Sequence, residues 1–298
     1  MSCKKIIAVF GATGAQGGSV VEALLKNPNY LVRAVTRDVK RPAAVTLQKK
    51  GAEVVKGDLN NLEDVSNILT GAYGAFVVTN FWDNFSKETE VTQGKMVADL
   101  AKKLQVKHVV YSGLEDVKKL TGGKLEVLHF DGKGEVEEYF WKIGVPMTSV
   151  RMAFYFENFL TMMKPIKAAD GQSYNLALPM EDIPMDGMSV ADIGPVVASL
   201  FCGPDHYIGK AIGLSAERLT AQQYAEKFSK HLGKTVNVKK SMEEYEKNAF
   251  PGIQEMANMF RFYWMKPDRD IELTHKLNPN VRSFDQFLTE NKEALKNI

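Results

Sequence analysis

The sequence predicts an α/β protein built on a doubly wound parallel sheet, with a smaller C-terminal α+β lobe. A continuous apolar run at residues 6–10 is followed directly by a glycine-rich turn and by a helical pattern from Ala15. Apolar runs and helical patterns then alternate as far as Arg151, which is typical of a parallel sheet with helices on both faces. Strand, glycine turn and helix in this order predict a sheet of the Rossmann type.

The glycine turn contains Gly11, Gly14, Gly17 and Gly18. Gly11 permits a tight exit from the strand, where a Cβ would clash. Gly14 lets the backbone approach a pyrophosphate, whose charge is met at the N-terminus of the helix. Gly17 lets the helix lie close to the strand. The spacing G-x-x-G-x-x-G alone also fits an ordinary glycine-rich turn, but its place between a strand and a helix favours a dinucleotide site.

Composition and charge exclude several classes of function. The 298 residues carry a formal net charge of +2 and only short Lys/Arg blocks, so we expect no direct binding to nucleic acid. Cys3 and Cys202 are the two cysteines and cannot form a disulfide framework, which favours a reducing compartment. No apolar run reaches membrane-spanning length or resembles a signal segment. We therefore expect a cytoplasmic protein that is not attached to a membrane.

The end of the second predicted strand bears on the choice of nucleotide. This strand covers residues 30–36 and ends at Arg37, with Lys40 and Arg41 close behind. An NAD-selective fold has an acidic residue here to bind the ribose 2′-hydroxyl, and Asp38 does lie beside Arg37. An arginine offers a planar fork that suits a 2′-phosphate, so we predict NADP(H) over NAD(H). A basic strand end that simply faces water would look the same in sequence.

The third and fourth predicted strands end in further candidate site residues. After the strand at residues 52–56, Asp58 either accepts a hydrogen bond from the adenine amino group or caps the helix that begins near Leu62, and both interpretations stay open. The fourth strand, residues 74–79, leads into the segment from Thr79 to Phe81. Because the carboxyl ends of parallel strands line the crevice of such a sheet, this segment is a candidate wall of the site.

The remaining elements complete the predicted sheet and add the lobe. The pattern predicts helices at 42–50, 88–104 and 131–143, strands at 107–112 and 148–152, and a loop over the cofactor at 113–123. We predict a first domain at 1–153 and a smaller lobe at 154–298, interleaved with the first and with an approximate boundary. The lobe includes a helix at 190–202, and capping-box sequences begin at Thr220, Ser241 and Ser283. Within the aromatic segment that opens the lobe, Phe154 and Phe159 are more typical of core packing than of a site.

Several segments together resemble one family. FGATGAQGGSV, TRD, GDL, FVVTN, VVYSG, HFDGKGEVEEYF and YFEN resemble the NmrA-like proteins, an atypical branch of the short-chain dehydrogenase/reductase superfamily, over essentially the whole chain. The resemblance implies an NADP(H)-binding Rossmann domain. The cofactor contacts that it implies are Gly11, Ala12, Thr13, Gly14, Ala15, Gln16 and Gly17 at the pyrophosphate, Arg37, Asp38, Val39, Lys40 and Arg41 at the 2′-phosphate, Asp58 and Leu59 at the adenine, Thr79, Asn80 and Phe81 in the middle, and Lys133, Tyr155, Phe156, Glu157 and Asn158 around the nicotinamide ribose.

The sequence lacks the catalytic pair of that superfamily. A short-chain dehydrogenase uses a tyrosine as general acid and a lysine four residues later, one helical turn away. No tyrosine in this chain has a lysine four residues on, and the corresponding segment has His129 and Lys133. An imidazole beside an ammonium group loses its proton readily, so a pocket role for His129 is favoured over an acid role. We therefore predict no catalytic residue and no metal ligand. If the protein is an enzyme, the candidates are Lys133, His129 and, as hydroxyl partner, Ser112.

Two functions follow as hypotheses. The first is an NADPH-binding redox sensor whose conformation or oligomeric state responds to NADPH and NADP+, with ordering expected in the segments 113–123 and 154–163. The resemblance implies argininosuccinate synthase and regulators of inflammatory signalling as protein partners. We further expect a homodimer that switches with NADPH occupancy, and a cytoplasmic location that extends to the perinuclear region and the nucleus. The alternative is an NADPH-dependent reductase of quinones or similar small carbonyl compounds that uses Lys133 or His129.

Overall fold

The structure is a computed structural model, and it describes residues 4–248 and 250–296. The chain divides into two compact units. The first unit contains the residues up to 123, residues 128–152 and residues 191–212; the second contains residues 124–127, residues 153–190 and the residues from 213 onward. Cys202 is exposed, whereas Cys3 lies outside the described residues.

Strands and helices alternate through the first unit and become shorter in the second. The strands are β1 (Lys5–Val9), β2 (Tyr30–Thr36), β3 (Glu53–Lys56), β4 (Gly74–Val77), β5 (His108–Gly113), β6 (Met147–Arg151), β7 (Phe154–Tyr155), β8 (Ile166–Lys167), β9 (Tyr174–Ala177), β10 (Met185–Met188), β11 (Ala211–Gly213), β12 (Glu217–Leu219) and β13 (Val236–Lys239). The helices are α1 (Ala15–Leu25), α2 (Pro42–Lys49), α3 (Leu62–Leu69), α4 (Lys87–Lys103), α5 (Val117–Leu120), α6 (Leu128–Lys142), α7 (Ile193–Cys202), α8 (Ala221–Leu232), α9 (Met242–Glu246), α10 (Ile253–Trp264), α11 (Ile271–Leu277), α12 (Phe284–Glu290) and α13 (Lys292–Leu295). Short 3₁₀ turns cover Phe81–Asp83, Phe156–Leu160, Val190–Asp192 and Pro204–His206.

The first unit is built on a seven-stranded sheet in the order β11-β6-β5-β4-β1-β2-β3. Each neighbouring pair from β6 to β3 is parallel, and Ile7 of β1 lies opposite both Val32 of β2 and Gly74 of β4. The chain winds outward from β1 to β3 and then returns to β4 beside β1. The order reverses at that point, so a crevice opens at the carboxyl ends of β1 and β4. This confirms the predicted Rossmann-type sheet.

Small residues let the helices pack closely around the sheet. An added Cβ at Gly94 of α4 would lie 2.5 Å from the side chain of Val136 in α6, so these two helices are in close contact. On α7, an added Cβ at Gly194 would lie 2.0 Å from the carbonyl oxygen of Ser19 in α1. The hydroxyl of Ser19 donates to Ala191 O at 2.7 Å and accepts from Gly194 N at 2.9 Å. The packing of α7 on α1 explains why residues 191–212 belong to the first unit.

Three segments of the structure bear on the predicted bounds. Helix α7 follows the approximate boundary predicted at residue 153 between two interleaved domains, and its packing on α1 places it in the first unit. The predicted loop at 113–123 contains the helix α5, whose first turn is capped by the side chain of Asp116. Helix α6 begins at Leu128, three residues earlier than expected. The other predicted elements through β6 lie within two residues of their expected bounds.

The second unit has two three-stranded sheets, β12-β10-β7 and β13-β9-β8, and an aromatic core. Phe154 and Phe159 are buried with their rings 5.1 Å apart, which confirms core packing for both. The capping boxes at Thr220 and Ser283 are confirmed, because both reciprocal hydrogen bonds are formed at each. At Ser241 the hydroxyl accepts from Glu244 N. Across the residues that the structure describes, none of the helices combines the length and the apolar composition needed to span a bilayer.

Candidate functional site

The glycine turn after β1 leaves no room for a side chain at Gly11 or at Gly17. Gly11 has a φ of +64°, in the left-handed region that favours glycine, and an added Cβ there would lie 2.9 Å from Cγ1 of Val78. An added Cβ at Gly17 would lie 2.2 Å from the carbonyl oxygen of Gly11 and 2.9 Å from Cα of Ala12. Gly17 is therefore required for the close approach of α1 to the turn, as predicted from the sequence.

The N-terminus of α1 fits an anionic ligand. Gly14 occupies the N-cap with extended backbone, no side chain caps this helix, and its first turn holds no acidic residue. A helix N-terminus carries a partial positive charge, and its first N–H groups have no hydrogen-bond acceptor within the helix. Since the turn lies at the crevice between β1 and β4, the residues present fit a pyrophosphate.

The basic end of β2 is exposed, and Arg37 forms an ion pair there. Arg37 is 61 % exposed, and its Nη2 lies 3.0 Å from Oδ2 of Asp83. Asp38 is engaged in its own turn, where Oδ1 accepts from Lys40 N at 2.9 Å. Both side chains are exposed, and the guanidinium of Arg37 reaches across to the turn that follows β4. Val39 and Arg41 are exposed in the same segment.

The structure shows that Asp58 does not cap α3. The side chain that caps α3 is Asn61, which accepts from Glu63 N and Asp64 N. Oδ1 of Asp58 instead accepts from the backbone N and from Nδ2 of Asn60, both at 2.9 Å. The capping interpretation of Asp58 is wrong, because the N-cap of the helix is Asn61, three residues after Asp58. Its adenine role stays a prediction, as does that of Leu59, which packs against the core.

Lys133 lies in a buried polar network with Thr79, just after β4, and Glu90 of α4. Its Nζ donates to Thr79 O at 2.8 Å, to Thr79 Oγ1 at 3.1 Å and to Glu90 Oε1 at 2.5 Å. Thr79 Oγ1 in turn donates to the same carboxylate oxygen at 2.7 Å. Glu90 is 1 % exposed and Lys133 is 9 % exposed. The other oxygen, Oε2 of Glu90, has no hydrogen-bond partner among the described residues.

Tyr111 of β5 does not replace the missing catalytic tyrosine. Its side chain is fully buried. Burial and the nearby charge of Glu90 raise the pKa of Tyr111 well above its usual value, so the phenol stays protonated. Because it is closed off from solvent, this phenol is a structural group of the sheet.

His129 lies in an aromatic cluster formed by Phe81, Trp82, Phe85, His129 and Phe130. The imidazole is 5.0 Å from the ring of Trp82 and 4.8 Å from that of Phe130, centroid to centroid, and the residue is 7 % exposed. His129 is therefore a buried member of this cluster, and its role in the site stays a prediction. Ser112, the candidate hydroxyl partner, is 2 % exposed and pairs with Val150 inside the sheet.

The second unit holds the four remaining predicted site residues. Phe156 is fully buried, with its ring 5.0 Å from that of Phe284. The carboxylate of Glu157 accepts from Ser189 Oγ at 2.6 Å and from Val190 N at 3.0 Å. Tyr155 forms part of β7, and Asn158 lies in the 3₁₀ turn that follows. These contacts stabilise the second unit, and the cofactor role of all four residues stays a prediction.

Sequence reasoning missed two acidic residues of this region. Glu90 continues the buried stripe of α4 that includes Gly94, Val97 and Ala101, so its helical spacing was a usable signal. Asp83 carried no such signal, because its pairing with Arg37 depends on how the turns after β2 and β4 meet. Within residues 4–248 and 250–296, no group of His, Cys, Asp and Glu side chains is arranged to hold a metal ion.

A parallel sheet whose order reverses beside a helix N-terminus without a side-chain cap defines a Rossmann-type dinucleotide fold. The chain belongs to the NmrA-like family, whose model matches residues 3–288. It is 34 % identical over 281 residues to the NmrA-like family domain-containing oxidoreductase FrzB of Cladobotryum sp, covering 86 % of this chain and 83 % of that protein. It is 30 % identical over 288 residues to NmrA-like family domain-containing protein 1 of Rattus norvegicus, covering 97 % and 96 %.

Solved structures share the same fold. The structure of NmrA, a negative transcriptional regulator, in complex with NADP has a TM-score of 0.82 and 25 % identity, with 98 % of each chain covered. The NADPH-dependent quinone oxidoreductase QOR2 of Escherichia coli, complexed with NADPH, has a TM-score of 0.78 and 21 % identity, covering 96 % of this chain and 99 % of that one. The second comparison shows likeness of fold alone.

Proposed function

We propose that this chain binds NADP(H) and acts as a regulator whose state follows cofactor occupancy. Three observations support cofactor binding: the turn at Gly11–Gly17, which has no room for a Cβ at either of its end glycines, the exposed guanidinium of Arg37, and the NADP complex of NmrA, which resembles this chain along its whole length. The turn would hold the pyrophosphate and Arg37 the 2′-phosphate. When bound, the nicotinamide supplies hydride chemistry.

The observation that carries the regulatory proposal is the arrangement of Lys133. A lysine ammonium has three N–H donors, and here Thr79 O, Thr79 Oγ1 and Glu90 Oε1 are three acceptors for them. Release of a proton from Lys133 would leave the buried Glu90 carboxylate without a counter-charge, which is costly. Residue 129, where the superfamily has its tyrosine, is an imidazole packed in an aromatic cluster, so the phenolic acid of that superfamily is missing from this position. The chain is thus better suited to binding the cofactor than to catalysing hydride transfer with it.

Regulation requires more than occupancy. The bound and empty forms must differ in their free energy of association with a partner, and the coupling is reciprocal. The homodimer that switches with NADPH, the partners argininosuccinate synthase and signalling regulators, and the cytoplasmic, perinuclear and nuclear location are part of this proposal. The partners follow from the family resemblance, and each of these needs its own test.

A second function is favoured by the relatives. FrzB and several other relatives carry the name oxidoreductase. Quinone reduction needs little acid assistance, because the reduced oxyanion is well stabilised, so Lys133 or His129 would be sufficient as proton source. The alternative is therefore an NADPH-dependent reductase of quinones or similar small carbonyl compounds.

One experiment compares the two functions. NADPH and NADP+ are titrated while cofactor binding and sedimentation are followed, and NADPH consumption is then measured with quinones, enones and aldehydes. The regulator is expected to change its oligomeric state with the cofactor and to turn over far below the ordinary enzymatic rate of about 10 s⁻¹. Turnover near that rate contradicts the regulator if it is lost in the double variant Glu90→Gln/Lys133→Met while cofactor affinity is retained. The double variant removes both charges together, so neither is left unpaired in the core.

A further inference from the structure

The turn that follows β4 points a carboxylate at the arginine that follows β2. Oδ2 of Asp83 lies 3.0 Å from Nη2 of Arg37, and the two side chains are 36 % and 61 % exposed. Both residues belong to the first unit, and each comes shortly after a strand that ends at the cofactor crevice. The ion pair therefore lies at the rim of the site, where solvent and ligands reach it.

Asp83 is held in place from its other side. Its Oδ1 accepts from Nδ2 of Asn80 at 2.6 Å, while Oδ1 of Asn80 accepts from Trp82 N at 3.2 Å. These bonds close the 3₁₀ turn Phe81–Asp83 and direct the free oxygen of Asp83 toward Arg37. The carboxylate is thus positioned for the guanidinium by the turn itself.

The same turn ends in a strained residue. Phe85 has a φ of +51°, which a bulky side chain rarely adopts and which costs on the order of 1 kcal/mol or more. Its ring is 62 % exposed and packs edge-to-face on Trp82, with centroids 5.6 Å apart. Segment 80–85, which we call the aromatic turn, is therefore held in a conformation that its own backbone disfavours.

We propose that Asp83 takes the place of a 2′-phosphate at Arg37, and that by competing for the guanidinium it sets how strongly NADP(H) is preferred over NAD(H), lowering that preference. This inference rests on the proposed function. A phosphate is more highly charged than a carboxylate and matches the guanidinium fork with two hydrogen bonds, so it displaces Asp83 from Arg37. The 2′-hydroxyl of NAD(H) has no charge with which to compete, and the Arg37–Asp83 pair stays intact.

The exchange has a structural consequence. Once Arg37 turns to the phosphate, Oδ2 of Asp83 loses its partner. The aromatic turn then loses one of the bonds that hold it, and Trp82, whose ring lies 5.0 Å from that of His129, changes its environment. The aromatic turn thereby distinguishes a 2′-phosphate from a 2′-hydroxyl.

Calorimetric titration tests the competition. The probes are adenosine 2′,5′-bisphosphate and 5′-AMP, which differ in the 2′-phosphate and carry no nicotinamide. Asp83→Asn is expected to tighten bisphosphate binding about two- to fivefold, the strength of an exposed ion pair, and to leave 5′-AMP unchanged. Glu88→Gln removes the same charge five residues further along and is the matched control, with no change expected.

A double-mutant cycle separates competition from simple repulsion. In an Arg37→Gln background, competition leaves Asp83→Asn without effect, whereas repulsion between Asp83 and the phosphate would persist and would overturn the inference. Tryptophan fluorescence gives a second readout. It should change when the bisphosphate is added to the parent protein but not when 5′-AMP is added, and this change should be absent in Trp82→Phe. If the bisphosphate binds equally to the parent protein and Asp83→Asn, only this inference fails. If it binds to neither, NADP(H) binding fails with it.

Discussion

Lys133 and Glu90 form a buried ion pair, with Nζ of Lys133 2.5 Å from Oε1 of Glu90. The two residues lie on α6 and α4, and Thr79, just after β4, contacts both. Desolvation of two charges costs about as much as their attraction returns, so the net stability gained from such a pair is small. Removing one partner is different, because the remaining charge stays buried without compensation.

Replacing either partner of this pair alone should therefore be strongly destabilising. We expect Glu90→Gln and Lys133→Met each to lower the free energy of unfolding by about 3 kcal/mol, and the double variant to recover much of that loss. Urea denaturation at neutral pH measures all three. Glu63→Gln, at an exposed position of α3, is the control and should change stability by less than about 0.5 kcal/mol. Additive losses in the double variant would contradict the pairing.

Gly17→Ala and Gly18→Ala should behave in opposite ways although they are neighbours on α1. A Cβ at residue 17 would lie 2.2 Å from backbone, so the turn or the helix must shift, and we expect at least a tenfold loss of NADPH affinity. At residue 18 the nearest atom is 3.5 Å away, an ordinary contact. Gly18→Ala should leave binding unchanged and add up to about 1 kcal/mol of stability from helix propensity. Equal effects at the two positions would be evidence against the assignment of the turn.

Arg37→Gln should change the choice of nucleotide. Loss of a charge-assisted bond to the 2′-phosphate weakens NADPH binding by about tenfold or more, while NADH binding stays within about twofold. Fluorescence or calorimetric titration with both nucleotides gives the ratio. Lys50→Gln removes one positive charge elsewhere in the first unit, at an exposed pair with Glu22, and should leave the ratio unaltered. An unaltered ratio in Arg37→Gln itself would refute the NADP(H) assignment.

His108 should make the first unit sensitive to acid. It is fully buried in β5, with Nε2 2.9 Å from Thr148 Oγ1. Burial lowers the pKa of His108 to about 4 from 6.5, and the charge of Asp205 offsets this only in part. Between these two pH values, His108 therefore binds a proton in the unfolded chain but not in the folded chain. The free energy of unfolding falls as the pH is lowered through this window. The loss amounts to at most about 3 kcal/mol.

A substitution isolates this contribution. In His108→Asn the slope of stability against pH between about 4 and 6.5 should be flatter than in the parent protein, whatever its overall stability. Denaturant titrations at several pH values give the slope. His206→Asn, at an exposed histidine of the same unit, should keep the parent slope. A parallel pair of curves for His108→Asn and the parent would show that His108 is protonated in the fold.

Much of the first unit could be predicted because its signals are local. The apolar run of β1, the glycines of the turn and the helical spacing of α1 each follow from neighbouring residues. The sequence-based prediction was wrong where two local signals compete, or incomplete where the deciding contact joins residues that are far apart in the chain. Asp58 and Asn61 are both good capping residues, and the actual start of α3 selected Asn61. Helix α7 reads as part of the C-terminal lobe, but Gly194 packs it against α1.

By itself the sequence determined the Rossmann-type sheet, the position of its glycine turn and the absence of a Tyr-x-x-x-Lys pair, since each depends on spacing along one segment. Only the tertiary structure decided which charges meet. Glu90 reaches Lys133 because α4 and α6 pack closely where Gly94 faces Val136, and Asp83 reaches Arg37 because β1 alone separates the strands that precede them. Periodicity is a property of neighbours in the chain, whereas an ion pair depends on how separate elements pack, and that packing sets the chemistry of this site.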